Sequence, residues 1–281
     1  MKKTLLIAAA ALAAGMLSVQ AQGSNVYSQN VVGYVNQTIP ANSFQIIGGT
    51  LINGSDASKT NGDINTTLTG MISDPNGPPF GTNTVLYIYD YVHGGVASYF
   101  YFNATDINTW QGSPGWTPGW YDSLGTPLSF SLTPGVAVFL QNKFTQPIVI
   151  NSVGSIFQGT NIQTIRSGFN LISFNAPVSD QPDSTNSYGL PVSQFTSSSI
   201  GDFNNNDVIY VWDTTHGGIA SFMWFNATDI NVWQGSPGWS AGFYDTLGTP
   251  MPSYDYPQAN QGFYIFHNGA SFNWTNSFSV K

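Results

Sequence analysis

Val85-Leu-Tyr-Ile-Tyr-Asp90, Phe102-Asn-Ala-Thr-Asp-Ile-Asn108, Trp110-Gln-Gly-Ser-Pro-Gly-Trp116 and Leu124-Gly-Thr-Pro127 return, in order and without a gap, as Val208-Ile-Tyr-Val-Trp-Asp213, Phe225-Asn-Ala-Thr-Asp-Ile-Asn231, Trp233-Gln-Gly-Ser-Pro-Gly-Trp239 and Leu247-Gly-Thr-Pro250. From Val85 to Pro127, 29 of 43 positions are identical, at an offset of 123 residues (His93 to His216). A repeat of that length is a structural unit rather than a short motif. Flanking runs align more loosely, as when loops accept insertions and strands do not. Phe44-Gln-Ile-Ile47 faces Phe169-Asn-Leu-Ile172, Val32-Gly-Tyr-Val35 faces Val153-Gly-Ser-Ile156, and Gly135–Leu140 faces Gly262–His267. The pattern predicts two tandem units, 26–150 and 151–281, packed closely through a short join.

Composition sets the fold class. All fourteen acids are Asp, Glu is absent, and Lys plus Arg number six. Strong helix formers are thus scarce, while Asn, Thr, Ser, Gly and aromatics abound. Apolar runs of four to eight residues, rich in Val, Ile, Tyr, Phe and Trp, are bounded by Gly, Pro, Asn and Asp, which is the strand signature. Strands are expected at 31–37, 44–48, 85–89, 97–102, 136–141 and 148–150, and at 154–157, 169–174, 208–212, 220–225, 263–267 and 272–274. We expect an all-β protein of two tandem duplicated β-sandwich or small-barrel domains with long Trp/Gly/Pro-rich loops.

The first 21 residues read as a signal peptide: Lys2 and Lys3, an apolar stretch from Leu5 to Leu17, and Val19-Gln-Ala21 as the cleavage site. Removing the two lysines takes the formal net charge from −8 to −10. Such an acidic chain lacks the positive footprint of a nucleic-acid or anionic-membrane binder. No later run is long and apolar enough for a transmembrane helix. The absence of cysteine excludes disulfides, thiol nucleophiles and Cys-ligated metals. The expected location is exported: extracellular, cell-surface or periplasmic.

Each repeated segment admits a structural and a chemical reading. Asp90-Tyr-Val-His93-Gly94-Gly95 and Asp213-Thr-Thr-His216-Gly217-Gly218 fit a hairpin loop in which Gly supplies positive φ and Asp caps its own backbone. The chemical reading makes Asp90, His93, Asp213 and His216 acid/base pairs or half of a metal site. The loop reading leads, because the turn is made twice and no nucleophile stands nearby. In Phe102-Asn-Ala-Thr-Asp-Ile-Asn108 and its copy, Asn and Asp fit Asx turns with Thr105-Asp106 capping a single helical turn, or Asp106 and Asp229 with neighbouring Asn bind calcium; the structural reading leads. Ser113-Pro-Gly-Trp116 and Ser236-Pro-Gly-Trp239 fit type II turns. Trp110, Trp116, Trp120 and Asp122, with Trp233, Trp239 and Asp245, would offer sugar rings flat apolar faces beside polar groups; a second small core is the alternative reading and leads. Asp202-Phe-Asn-Asn-Asn-Asp207 echoes the start of an EF-hand loop but lacks its Gly and downstream Glu. His267, aligned with Leu140, reads as structural.

Gly168-Phe-Asn-Leu-Ile-Ser173, followed by Gln261-Gly-Phe-Tyr-Ile265, resembles a pattern of secreted or surface bacterial β-domain proteins, G-[FW]-N-L-I-S early and P-G-x-G-[FY]-[WY]-[IV] late. Asn30-Val-Val-Gly-Tyr-Val35 resembles their mature start, while the first unit departs from both signatures. The resemblance implies location and fold and no activity. Three functions follow as expectations. The first is a non-enzymatic structural, adhesive or glycan-contacting protein; the others are a polysaccharide hydrolase or lyase, and an outer-membrane β-barrel.

Overall fold

The computed structural model describes residues 32–52, 63–68, 71–74, 83–183, 189–213 and 215–278. The signal segment 1–21, the start at Asn30, Lys59 and Lys281 lie outside them. Strands carry the described chain, in four open sheets of two to five strands.

The repeated block builds its sheets from the hairpin outward. β4 (Val85–Asp90) and β5 (Gly95–Phe102) form an antiparallel hairpin, extended by β6 (Gly119–Tyr121). β2 (Ser43–Gly48) and β7 (Ala137–Asn142) complete a five-stranded sheet of order β2-β7-β4-β5-β6. In the second half β10 (Gly168–Ser173), β11 (Val208–Asp213), β12 (Gly218–Phe225), β13 (Gly242–Tyr244) and β14 (Gly262–His267) repeat that order as β10-β14-β11-β12-β13.

Outer ribbons cover both sheets. β1 (Val32–Ile39) pairs with β8 (Ile148–Ile156), which also holds β3 (Leu51–Ile52); β9 (Gly159–Ile165) pairs with β15 (Phe272–Phe278). The first ribbon supplies Ile39, Ile148 and Ile150 to a core with Leu86, Trp120 and Leu140. The second supplies Ile165 and Trp274 to a core with Phe174, Ile209 and Phe263. Val32-Gly-Tyr-Val35 and the 153–156 stretch are thus cross-strand neighbours (Tyr34 opposite Val153), and the residue 150/151 boundary lies inside β8.

The opposite faces of the two sheets meet. Ile46, Ala137, Leu171 and Trp212 cluster there with Phe44, Phe139 and Tyr264. Coverage on both faces explains why Asn170 to Ser173 is buried without alternation. The seam is reciprocal: Ile47 bridges Gln261 as Ile172 bridges Val136. The Gly48 amide donates to Asn260 O (2.8 Å) as the Ser173 amide donates to Gly135 O (2.9 Å). Each pair maps onto the other at one offset, 125 residues, the self-complementarity of a two-fold interface within one chain. Two close approaches fix it, since a Cβ on Gly48 would meet Ser173 Cβ at 2.4 Å and one on Gly262 would meet Ala137 Cβ at 2.4 Å.

Three short helices interrupt the strands among the described residues: α1 (Ile64–Thr67), α2 (Ala104–Gln111) and α3 (Ala227–Gln234). α2 and α3 are two-turn helices where one turn was expected. None is long and apolar enough to cross a membrane.

Candidate functional site

In both hairpins the Asp–His loop closes on itself. The Asp90 carboxylate accepts the Val92 and His93 amides (2.8 and 3.2 Å), and its Oδ2 lies 2.5 Å from His93 Nδ1. Asp213 does the same with Thr215, His216 and the His216 ring, at 2.7, 2.9 and 2.6 Å. Gly94 and Gly217 close the turns at φ 68° and 72°. The His93 ring and the adjacent amides hold Asp90 below the usual carboxylate pKa. Burial pushes Asp213 upward, yet its bonds to the His216 and Thr215 amides and the His216 ring outweigh this and leave it lowered. Both histidine side chains stand in solvent.

The Asn-Ala-Thr-Asp segments are helix N-caps. Asn103 Oδ1 accepts the Asp106 amide at 2.9 Å; Asp106 Oδ2 in return accepts Asn103 Nδ2 (2.7 Å) and the Ser73 hydroxyl (2.5 Å). Asn226, Asp229 and Ser197 repeat the set at 2.9, 2.7 and 2.6 Å. Asp106 and Asp229 therefore stand where calcium was considered but already hold two donors each. Among the described residues no group of three or more His, Cys, Asp or Glu is placed to hold a metal ion. Asn103→Ala is expected to cost about 1 kcal/mol by orphaning the helix start, read as a lowered denaturation midpoint.

The tryptophans divide. Trp120 is 1 % exposed in the main core, edge-on to Tyr101 at 5.5 Å, and shows no face to solvent. Trp110 stacks on Phe102 (4.9 Å, 8° between planes) and Trp116 meets Tyr121 edge-on at 5.8 Å. Trp233 on Phe225 (4.7 Å, 6°) and Trp239 on Tyr244 (5.9 Å) reproduce them. These four are half-buried and complete satellite clusters on the part of each sheet beyond the seam. Their loops are fixed. The Trp116 amide donates to Asn108 Oδ1 (3.0 Å), and its Nε1 reaches Ser113 Oγ (3.3 Å). Gly115 takes the φ of 110° that the type II turn requires. Asp122 and Asp245 each accept two backbone amides of the following turn, at 2.8 Å. At Asp122, burial works upward, but the turn's donors hold the pKa below the usual value.

Three features escape a reading by motif. His267 and Asp207 form a pair with 0 % side-chain exposure, Nδ1 to Oδ2 2.5 Å; strand register sets His267 opposite Gly168 as Asn142 is opposite Ser43, so its counterpart is Asn142 rather than Leu140. Asp255, 4 % exposed with Oδ1 unpartnered, is pushed up to about 6 by burial and the charge of Asp213, partly offset by His216. A carboxyl with a raised pKa beside one with a lowered pKa is the pairing used in acid–base hydrolysis, but Asp213 commits both oxygens to its own loop. The third is a cleft at the meeting of the two halves, lined by Tyr89, Tyr91, Gln163 and Arg166. A signal for it was present: Arg166 is the chain's only arginine.

The fold and these sites define an all-β protein whose repeated block is built of turns, caps and aromatic clusters. Compared with known proteins, the chain matches no family model, no curated protein and no solved structure.

Proposed function

We propose that the protein is an exported, non-enzymatic binding protein of the cell-surface or matrix type, contacting glycans through two equivalent aromatic loop faces. One observation carries this reading. The Trp110/Trp116 and Trp233/Trp239 pairs are half-buried in the same frame, and Trp116 and Trp239 are locked at the indole nitrogen by Ser113 and Ser236 and at the backbone by Asn108 and Asn231. Preorganised flat rings at a surface lose little conformational freedom when a sugar stacks on them. The acids and histidines of the repeated block support the same reading, since each is already bonded within its own turn or cap. Open sheets of at most five strands among the described residues favour it over a membrane barrel, which needs at least eight. Two like faces on one body would also raise avidity for repetitive polymers.

Glycan-array binding followed by calorimetry tests the reading. Trp116→Ala with Trp239→Ala should weaken binding about fivefold, the loss expected when roughly 1 kcal/mol of stacking disappears. Unchanged affinity in the folded double variant, or no polysaccharide bound by the wild type, would overturn it.

A further inference from the structure

We propose that the cleft between the two halves binds a saccharide bearing a carboxylate, of the uronic-acid kind, with Arg166 as its anion anchor. The proposal concerns a site separate from the aromatic loops and does not depend on their reading. The cleft has a volume of about 400 Å³, within the range of small-ligand sites and enough for one or two sugar rings.

Its chemistry is unlike the rest of this acidic chain. No acid lines it, and Arg166 takes part in none of the ion pairs among the described residues. The guanidinium rests on the Tyr91 ring, 4.6 Å from its centroid. The supporting backbone is clamped: the Arg166 amide donates to Asn170 Oδ1 (2.8 Å), and Asn170 Nδ2 donates back to Arg166 O (2.7 Å). Tyr91 is held in turn, accepting the Leu171 amide at 3.1 Å and meeting Tyr89 edge-on at 5.0 Å. A planar, stacked, unpaired guanidinium presents a two-pronged donor to a carboxylate.

A second group sets the ligand's other requirement. Gln163 Nε2 donates to Gly135 O at 2.6 Å, which orients the amide and leaves Oε1, buried in the cleft wall, without a partner. Gly135, at φ 93°, permits this approach, because a Cβ there would come within 2.8 Å of that oxygen. An acceptor lacking a donor calls for a hydroxyl, and an unpaired cation calls for an anion. Sulfate and simple carboxylates offer only acceptors, whereas a uronic acid carries both, with a C–H face for Tyr89 and Phe130. Arg166 is the one arginine in the chain, so the other half does not duplicate the anchor.

Titration calorimetry with digalacturonic acid and with the neutral galactose disaccharide tests the proposal, with tryptophan emission followed in parallel. The cleft contains no tryptophan, so occupancy there should leave emission unchanged. The acidic sugar should bind at least tenfold more tightly than the neutral one and weaken with salt. Arg166→Gln should remove that preference, and Arg166→Lys should restore part of it; both variants are checked for wild-type unfolding. Equal binding of the two sugars, undiminished uronate binding by Arg166→Gln, a quenched emission, or no uronate binding by the folded wild type would overturn it.

Discussion

Asp207→Ala is expected to lower stability by about 3–5 kcal/mol, the cost of removing one partner from a fully buried, hydrogen-bonded Asp–His pair. For a chain of this size, each kcal/mol moves the melting temperature by roughly 2–4 °C. His267 Nε2 lies 2.8 Å from the Ala270 carbonyl and must donate to it, while Nδ1 faces Asp207 Oδ2; Asp207 Oδ1 accepts the Asn268 amide at 2.7 Å. Truncating Asp207 orphans both the ring and that amide. Burial alone would lower the histidine's pKa, but its bonds to Asp207 and Ala270 and the charge of Asp207 raise it. That contribution to stability is therefore complete below the unfolded value of 6.5 and fades as pH climbs through the raised folded value.

The first half shows a neutral solution to the same problem. There Asn142 donates to the Gln146 carbonyl, as His267 does to that of Ala270, and Thr84 stands at the Asp207 position. Asp207→Thr combined with His267→Asn should accordingly cost less than the sum of the two single changes, a coupling of about 0.5–3 kcal/mol. Denaturant unfolding of the four proteins gives both numbers. An Asp207→Ala midpoint equal to that of the wild type would refute the burial argument.

The second large effect is a dependence on pH. Asp255 has a folded pKa of about 6 against 3.8 for the free group. A carboxyl whose pKa is raised by folding destabilises the native state as pH rises between those two values. The loss amounts to about 3 kcal/mol once the pH passes 7, at 1.36 kcal/mol per pKa unit. Asp255→Asn keeps the shape and removes the charge, so it should stabilise the protein at pH 7 and leave it nearly unchanged at pH 4. Asp90, Asp122 and Asp213, whose pKa values are lowered, act oppositely: their contribution holds above 3.8 and is lost as pH falls through the lowered values. Wild-type stability should then peak in the mildly acidic range. Thermal unfolding from pH 3 to pH 8 measures this, and an Asp255→Asn curve parallel to the wild type would count against the buried charge.

Much of this architecture was readable in local chemistry. Val208-Ile-Tyr-Val-Trp212 has the β-branched and aromatic content of a strand, and Ser113-Pro-Gly-Trp116 has the residues of a type II turn. A helix start was legible in Asn-Ala-Thr-Asp, but Thr105-Asp106 was expected to cap a single turn, whereas Asn103 is the cap and the helix runs for two turns because Gly112 stops it only at φ 67°. What escaped was non-local. β9 is absent from the sequence reading because Gly159-Thr-Asn-Ile-Gln-Thr-Ile165 alternates mostly polar residues, and its inner face turns toward the cleft. The Val-Gly likeness of 32–35 and 153–156 suggested equivalent strands, yet the two segments pair with each other. Trp120 and Trp116 look alike in sequence, yet Trp120 lies on β6 and enters the core beside Ile64, Leu68 and Tyr101, while Trp116 stays in the loop before it. Arg166, Asp207 and Asp255 owe their character to partners distant in the chain.

The outer ribbons have a mechanical consequence. Val32 lies opposite Ser155 and Phe278 lies opposite Gly159, so both ends of the stretch 32–278 reach the short link between β8 and β9. Tension applied across those ends enters each ribbon at one extremity. The hydrogen bonds are then met one after another, like the teeth of a zip, rather than sharing the load. The reciprocal seam lies outside that path, so a tethered molecule would shed its ribbons before the two central sheets felt the pull.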